Sequence, residues 1–252
     1  MGWIFTLSSS ANKSCKVYIP NTITCLNLIS GAVAVWLSFQ TFPTAAGLTP
    51  RQWAFIAIGA AAVFDCLDGF TARLLKAYSD MGKELDSLSD LVSFGLAPAF
   101  LVLNTLTSSG VARGLCLTAL IIAVAGALRL AKFNVDTRQT TSFIGLPIPA
   151  NAIFWVGCLA WIDAHGFPGY WVMLALILLF SWLMVSEIPM FSLKFKTYGW
   201  HENVRRYGLL LAAALFVATS GVAGFAWTII FYIILSIFGR SNDRLKENAS
   251  QE

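Results

Sequence analysis

The chain has 252 residues, of which 57% are hydrophobic and 12% charged, and its mean hydropathy is +0.71. This composition excludes an ordinary soluble domain and is typical of a polytopic helical membrane protein. The formal net charge of +4 comes from scattered Lys and Arg without a basic run, which argues against a nucleic-acid partner. Five cysteines without a C-x-x-C spacing and only two histidines argue against a disulfide framework or a zinc site.

Apolar stretches of about 20 residues, the length that a membrane-spanning helix needs, predict an all-α bundle of about eight transmembrane helices. Because the last two are short, six or seven helices remain an alternative. We place the helices at 22–40, 52–76, 87–108, 113–133, 149–164, 170–190, 207–222 and 224–239. We expect three parts along the chain: an interfacial or cytoplasmic N-terminal segment (1–19), one transmembrane domain (20–240) and a polar cytoplasmic tail (241–252).

The basic residues predict the orientation of this bundle. If both termini lie in the cytoplasm, all 17 Lys and Arg except Arg51 and Arg113 fall in cytoplasmic segments. An excess of Lys and Arg in cytoplasmic loops is the usual rule for membrane proteins. This layout also places the connection between the second and third helices at the cytoplasmic face.

Four aspartates in apolar sequence are the most informative feature of the chain. Asp65 and Asp68 are three residues apart, and Asp86 and Asp90 are four apart, so each pair lies on one helix face. A charge in the membrane costs about 2.5–3.5 kcal/mol by insertion scales, so such carboxylates indicate a functional site. Oxygen ligands converging from two helices favour one or two hard divalent cations, Mg²⁺ or Mn²⁺, as in phosphoryl transfer.

Small and basic residues accompany the aspartates. Gly69, Ala72 and Gly82 would let a ligand approach the backbone, and Arg73 offers a planar fork of donors for phosphate oxygens. Small residues also permit close helix packing in membranes, and an arginine at a helix end also fits the positive-inside rule. Four carboxylates alone would suit a cation- or proton-coupled transporter, although we find no internal repeat.

The complete pattern, D-x-x-D-G-x-x-A-R-x8-G-x-x-x-D-x-x-x-D, resembles the signature of the CDP-alcohol phosphotransferase family. The resemblance implies an integral membrane transferase that uses a CDP-linked alcohol and releases CMP. It assigns metal binding to Asp65, Asp68, Asp86 and Asp90, with Asp86 and Asp90 catalytic and Asp90 the general base. It further implies that the other motif residues surround the nucleotide and diphosphate: Gly69, Ala72, Arg73 and Gly82.

Three further segments extend the resemblance over residues 20–150, two of them toward the phosphatidylserine synthase branch of the family. Residues 128–134 read L-R-L-A-K-F-N and residues 143–150 read F-I-G-L-P-I-P-A. The branch implies CDP-diacylglycerol and L-serine as substrates, with Arg129 anchoring the serine carboxylate and Lys132 and Asn134 assisting. Snorkelling at the interface is the alternative role for these three residues. In the third segment, Asn21 and Thr24 resemble the family's entry to helix one, where polar groups face the nucleotide.

Other acceptors and classes remain open. Glycerol 3-phosphate or an inositol phosphate would bring an extra phosphate and would need further cations, for which Arg129, Lys132 and Arg138 are available. A prenyltransferase also uses aspartate-rich helix ends, but its motif does not require the G-x-x-A-R insert. The resemblance implies a lipid bilayer as partner, allows a homodimer, and favours a bacterial inner membrane with the active site at the cytoplasmic face.

Overall fold

The computed structural model describes residues 2–41, 47–136, 143–191 and 200–249. The chain divides into two compact units, Met1–Asn104 and Thr105–Glu252. We describe each unit by itself.

The first unit is built from long helices. In chain order they are α1 (Gly2–Ser38), α2 (Pro50–Leu75), α3 (Asp80–Asp90) and the first part of α4 (Ala97–Ser108), with a π-helical turn at Leu91–Leu96 between α3 and α4. Both α2 and α3 pack against α1. Small side chains such as Ala34, Ala54 and Ala61 are completely buried, which lets these helix backbones approach closely.

Local sequence signals fix the connection between α2 and α3. The Lys76 backbone is left-handed, with φ of 49°, and the Ala77 N–H donates to the Ala72 carbonyl at 2.9 Å, which ends α2. Three residues later Ser79 caps α3, its hydroxyl accepting from the Gly82 N–H at 3.0 Å. The chain therefore turns within 76–79, so that the two halves of the aspartate motif lie on successive helices.

The second unit contains the remaining helices and one short strand pair. These elements are α5 (Arg113–Cys116), a 3₁₀ turn (Leu117–Leu120), α6 (Ile121–Val135), β1 (Phe143–Ile144), α7 (Ile148–His165), α8 (Tyr170–Val185), β2 (Pro189–Met190), α9 (Trp200–Ser220), a 3₁₀ turn (Gly221–Ala223) and α10 (Gly224–Ala249). Strands β1 and β2 pair antiparallel, with Phe143 opposite Met190. Helix α6 packs on α8, and α7 packs on α10. Aromatic rings fill part of the core, where Phe154 stacks on Phe180 at 3.5 Å between centroids.

The helical fold and the membrane-spanning character are confirmed, but eight spanning helices are not. Within the described residues, five helical segments are long and apolar enough to cross a membrane: 18–38, 50–75, 80–108, 113–135 and 203–238. Helix α8 has 16 residues, fewer than the about 20 that a span needs. Helix α7 has 18 residues and carries Asn151, Asp163 and His165. The predicted spans 207–222 and 224–239 lie in one 36-residue apolar stretch, interrupted by the turn at Gly221.

Two helices begin earlier than the apolar spans predicted within them. Helix α3 begins at Asp80 rather than near residue 87, since its first turns are polar and its start depends on the Ser79 cap. Helix α1 begins at Gly2, whereas its apolar span begins at Tyr18, close to the predicted residue 22. The earlier start of α3 gives Asp86 a helical backbone on both sides.

Candidate metal and substrate site

Three of the predicted metal ligands come together in the first unit. The carboxylates of Asp65, Asp68 and Asp86 each offer an oxygen, and these oxygens lie within 4.8 Å of one another. Asp68 is 6% exposed, whereas Asp65 and Asp86 are half-buried. Three carboxylates this close repel one another strongly away from bulk water, so a cation between them would stabilise the arrangement.

The chemistry of this group fits a hard divalent cation. All the donor atoms are carboxylate oxygens, which Mg²⁺ and Mn²⁺ prefer over the nitrogen and sulfur ligands of zinc. In addition, the Asp86 Oδ1 atom is buried and has no hydrogen-bond partner among the described residues. Such an atom is costly unless something binds to it, and a metal ion would satisfy it.

Helix α1 contributes polar contacts to two of the aspartates. The Thr24 hydroxyl donates to Asp68 Oδ2 at 2.7 Å, and the Asn27 amide Nδ2 donates to Asp90 Oδ1 at 3.2 Å. Asp90 is 9% exposed and is not a member of the close group of three. Hydrogen bonds to a carboxylate are charge-assisted, so they hold these side chains firmly in orientation. Thr24, which the resemblance assigns to the nucleotide, thus contacts one of the predicted metal ligands.

The two motif glycines have different surroundings. A Cβ added to Gly82 would lie 3.0 Å from Asn21 Oδ1 and 2.9 Å from Ser79 Oγ, so close packing explains this glycine. Gly69 is exposed, and a Cβ there would meet no heavy atom of the described residues within 4 Å. Helix packing among the described residues therefore does not require glycine at position 69. Close approach of a ligand to the backbone is an explanation that fits this glycine.

The other two predicted residues of the motif lie near Gly69. The Arg73 Nε–H donates to the Gly69 carbonyl at 2.8 Å, which brings the exposed guanidinium back along α2 toward the aspartates. Ala72 is half-buried on the same helix. Together with the open space at Gly69, this gives α2 a face that combines an arginine fork with an accessible backbone.

The residues predicted for the serine site lie in the second unit. Arg129 on α6 is 7% exposed, and its guanidinium carbon lies 5.6 Å from the centroid of the Phe133 ring. Lys132 Nζ forms an ion pair with Glu187 Oε1 at 3.2 Å. Asn134 is half-buried near the end of α6. Arg138, the other cation named for a phosphate-bearing acceptor, lies outside the described residues.

The F-x-G-L-P segment has a structural role in the second unit. Gly145 has φ of +76°, and its N–H donates to the Ile188 carbonyl at 2.8 Å. A Cβ at this position would lie 2.9 Å from the Ser186 carbonyl oxygen. The next residue, Leu146, donates its N–H to the Leu183 carbonyl at 2.9 Å, at the end of α8. Only glycine satisfies both the backbone conformation and the close approach.

Two residues outside the predicted set complete the first unit's polar network. Asn27 follows Thr24 by three residues and so shares its helix face. The Ser93 hydroxyl donates to the Asn27 carbonyl at 2.9 Å. A polar side chain spaced three residues from a predicted ligand was a usable signal for Asn27. No comparable local signal existed for Ser93, because its partner is 66 residues away.

The chain is similar to a family of known proteins. The sequence pattern of the family described as CDP-alcohol phosphatidyltransferase matches residues 17–188. A CDP-diacylglycerol–serine O-phosphatidyltransferase of Methanocaldococcus jannaschii is 34% identical over 223 residues, which cover 88% of this chain and 92% of the relative. A protein of the same name from Mycobacterium leprae is 31% identical, over 86% of this chain and 71% of its own length. Another from Bacillus subtilis is 42% identical, over 52% of this chain and 70% of its own length. The chain therefore belongs to the CDP-alcohol phosphatidyltransferase family and is an integral membrane protein.

Proposed function

We propose that this chain transfers the phosphatidyl group of CDP-diacylglycerol to the hydroxyl of L-serine, giving phosphatidylserine and CMP. The observation that carries the proposal is the close group of Asp65, Asp68 and Asp86 in the family motif, with oxygens within 4.8 Å of one another. The choice of serine is supported by the activity for which the similar proteins are named and by the L-R-L-A-K-F-N segment.

The group of three aspartates would hold Mg²⁺ or Mn²⁺, as one or two ions, with Asp90 completing the cluster. The chemistry that such a cation supplies when bound is neutralisation of the diphosphate and of the departing CMP. Thr24 fixes the Asp68 carboxylate by its hydrogen bond of 2.7 Å, so that this ligand is oriented before any substrate arrives.

The protein groups then perform a simple displacement. A new bond forms between the serine hydroxyl oxygen and the phosphorus of the phosphatidyl group, and the bond from that phosphorus to the CMP oxygen breaks. The serine hydroxyl proton goes to Asp90, whose buried carboxylate is the proposed general base. Arg73 would bind phosphate oxygens, the backbone at Gly69 would admit the diphosphate, and Asn21, which lies beside Gly82, would face the nucleotide.

The carboxylate of serine requires a cation, and we assign that role to Arg129. A buried arginine is suited to a carboxylate because its planar donors bind both oxygens at once. We further propose that the reaction takes place at the cytoplasmic face of a bacterial inner membrane. The distribution of Lys and Arg along the sequence supports this orientation.

The test is CMP release by the purified, detergent-solubilised protein given CDP-diacylglycerol with Mn²⁺ or Mg²⁺. L-serine, glycerol 3-phosphate and an inositol phosphate are supplied in turn. We expect CMP release that depends on serine, with phosphatidylserine as the product. Release with another acceptor would overturn the assignment of serine but retain the family's chemistry, and no release from folded protein with any acceptor would favour a transporter.

One substitution separates an enzyme from a transporter in the same assay. Asp90→Asn should reduce CMP release by about 10²–10⁴-fold, the usual contribution of a general base, while CDP-diacylglycerol still binds. The matched control is Asp163→Asn, which changes an exposed aspartate on α7 and should leave the rate unchanged. Equal rates for Asp90→Asn and the control would contradict the role of Asp90.

A further inference from the structure

Asn27 lies at the point where α1 meets the proposed general base. Its side chain is fully buried, and its Nδ2 donates to Asp90 Oδ1 at 3.2 Å. An ionised carboxylate can only accept hydrogen bonds, so the amide must turn its NH₂ group toward Asp90. The contact with Asp90 therefore fixes the orientation of the Asn27 amide, and Oδ1 of the same amide points away from Asp90.

The backbone around Asn27 and Asp90 is held in place by a second contact. The Ser93 hydroxyl donates to the Asn27 carbonyl at 2.9 Å, and Ser93 is completely buried. A Cβ on Gly31 would lie 2.6 Å from the Ser93 Cα, so glycine at this position lets α1 approach the helix that carries Asp90. Ser93 itself belongs to the π-helical turn Leu91–Leu96, which begins directly after Asp90. Such turns are frequent at functional sites because they redirect side chains.

The remaining polar atom of the Asn27 side chain, Oδ1, is buried and accepts no hydrogen bond from any described residue. A buried acceptor without a donor costs free energy, so its retention in a well-packed interface calls for an explanation. A ligand that carries a hydrogen-bond donor and reaches Asp90 would lie close to Asn27 Oδ1. This follows because Oδ1 and the Nδ2 that contacts Asp90 are bonded to the same carbon.

We propose that Asn27 is a positioning residue for Asp90 and that its Oδ1 accepts a hydrogen bond from the acceptor alcohol. This inference rests on the proposed function, in which the acceptor is serine and its hydroxyl proton goes to Asp90. Serine carries two kinds of donor, its hydroxyl and its ammonium group, and either satisfies Oδ1. Asn27 thus orients the base and the acceptor together.

The experiment measures steady-state kinetics of CMP release for Asn27→Ala beside the wild-type protein. We expect kcat to fall about 10-fold and the KM for serine to rise about 10-fold, the effect of losing hydrogen bonds to charged groups. The KM for CDP-diacylglycerol and the half-saturating Mn²⁺ concentration should stay within about 2-fold of wild type. A general loss of structure would not produce this split.

The matched control is Asn104→Ala. Within the first unit, the Asn104 Nδ2 also donates a hydrogen bond to α1, at the Ser38 carbonyl. The substitution therefore removes the same kind of interhelical hydrogen bond at a position away from the aspartates. This variant should keep the wild-type kcat, both KM values and the half-saturating Mn²⁺ concentration. If Asn27→Ala does not fold, Asn27→Ser keeps a small polar group at the position, and the same split in the kinetics is expected.

The outcomes distinguish this inference from the proposed function. Unchanged kinetics in the folded Asn27 variant would overturn the inference while serine-dependent release by wild type upholds the function. An equal shift in the Mn²⁺ or CDP-diacylglycerol dependence would also overturn it, because Asn27 would then act on the cation site or the lipid substrate. Absence of serine-dependent release from the wild-type protein would instead refute the proposed function.

Discussion

The two units of the chain treat their motif residues differently. In the first unit, oxygens of three aspartates lie within 4.8 Å of one another. Among the described residues, a buried Asp86 oxygen has no hydrogen-bond partner, and no heavy atom lies within 4 Å of a Cβ added at Gly69. In the second unit, Lys132 pairs with Glu187, and Gly145 packs against carbonyl oxygens after α8. The unsatisfied Asp86 oxygen indicates a ligand, whereas the contacts of Lys132 and Gly145 show that these two residues of the second unit also have a structural role.

The largest effect should come from the carboxylates of the first unit. Asp86→Asn removes a negative charge from the group of three, so we expect CMP release to fall by about 10³-fold, as when a major electrostatic contribution is lost. Mn²⁺ affinity, measured by electron paramagnetic resonance titration, should fall in parallel. Undiminished Mn²⁺ binding in this variant would show that the three aspartates are not the cation site.

The next largest effect should come from Arg129, the one buried cation that we assign to substrate in the second unit. Arg129→Lys keeps the charge and loses the planar fork, so the KM for serine should rise about 10-fold or more, as for lost charged hydrogen bonds. The KM for CDP-diacylglycerol should not change. The control is Arg113→Lys, at an exposed residue of the same unit. If both variants alter the serine KM equally, Arg129 does not bind the carboxylate.

The two glycines sharpen the contrast between the units. Gly145→Ala places a side chain at φ of +76° against backbone oxygens, so it should destabilise the fold by about 1–3 kcal/mol. Gly69→Ala meets open space among the described residues and should leave stability nearly unchanged while raising the KM for CDP-diacylglycerol. Thermal unfolding in detergent and steady-state kinetics measure the two effects. A loss of stability at Gly69 without a kinetic effect would contradict this distinction.

The smallest effect is expected at the ion pair between Lys132 and Glu187. The side chains are 37% and 69% exposed, so breaking the pair should change the free energy of unfolding by less than about 1 kcal/mol. Lys132→Met and Glu187→Gln should therefore behave alike in thermal unfolding. A modest rise in the KM for serine is expected with Lys132→Met alone, because the resemblance gives this lysine an assisting role at serine. Equal KM values for the two variants would contradict that role.

Much of the site was predictable because its spacing is local. Asp65 and Asp68 share a helix face by their three-residue spacing, and the turn at 76–79 brings Asp86 within reach. Contacts from α1 depend on packing between distant segments, so Thr24 was predictable only through resemblance, and Asn27 only through its three-residue spacing from Thr24. Resemblance alone also suggested the F-x-G-L-P segment, whose role at Gly145 became clear from its φ and its neighbours.

The fold was less predictable in its helix boundaries than in its class. Hydropathy found the apolar parts of the helices but not the polar first turns of α3, which depend on the Ser79 cap. It also could not show that α8 has only 16 residues. Apolar composition measures how well a segment tolerates lipid, whereas caps, glycines and packing decide where a helix begins and ends.

The most direct test of the account is the divalent-cation dependence of CMP release by the wild-type protein. The protein is first treated with EDTA, then assayed with CDP-diacylglycerol and L-serine as Mn²⁺ or Mg²⁺ is added back. We predict no release without a divalent cation and a saturable return of phosphatidylserine synthesis with it. Full serine-dependent release in the presence of EDTA would contradict the central claim that the aspartates of the first unit hold a catalytic cation.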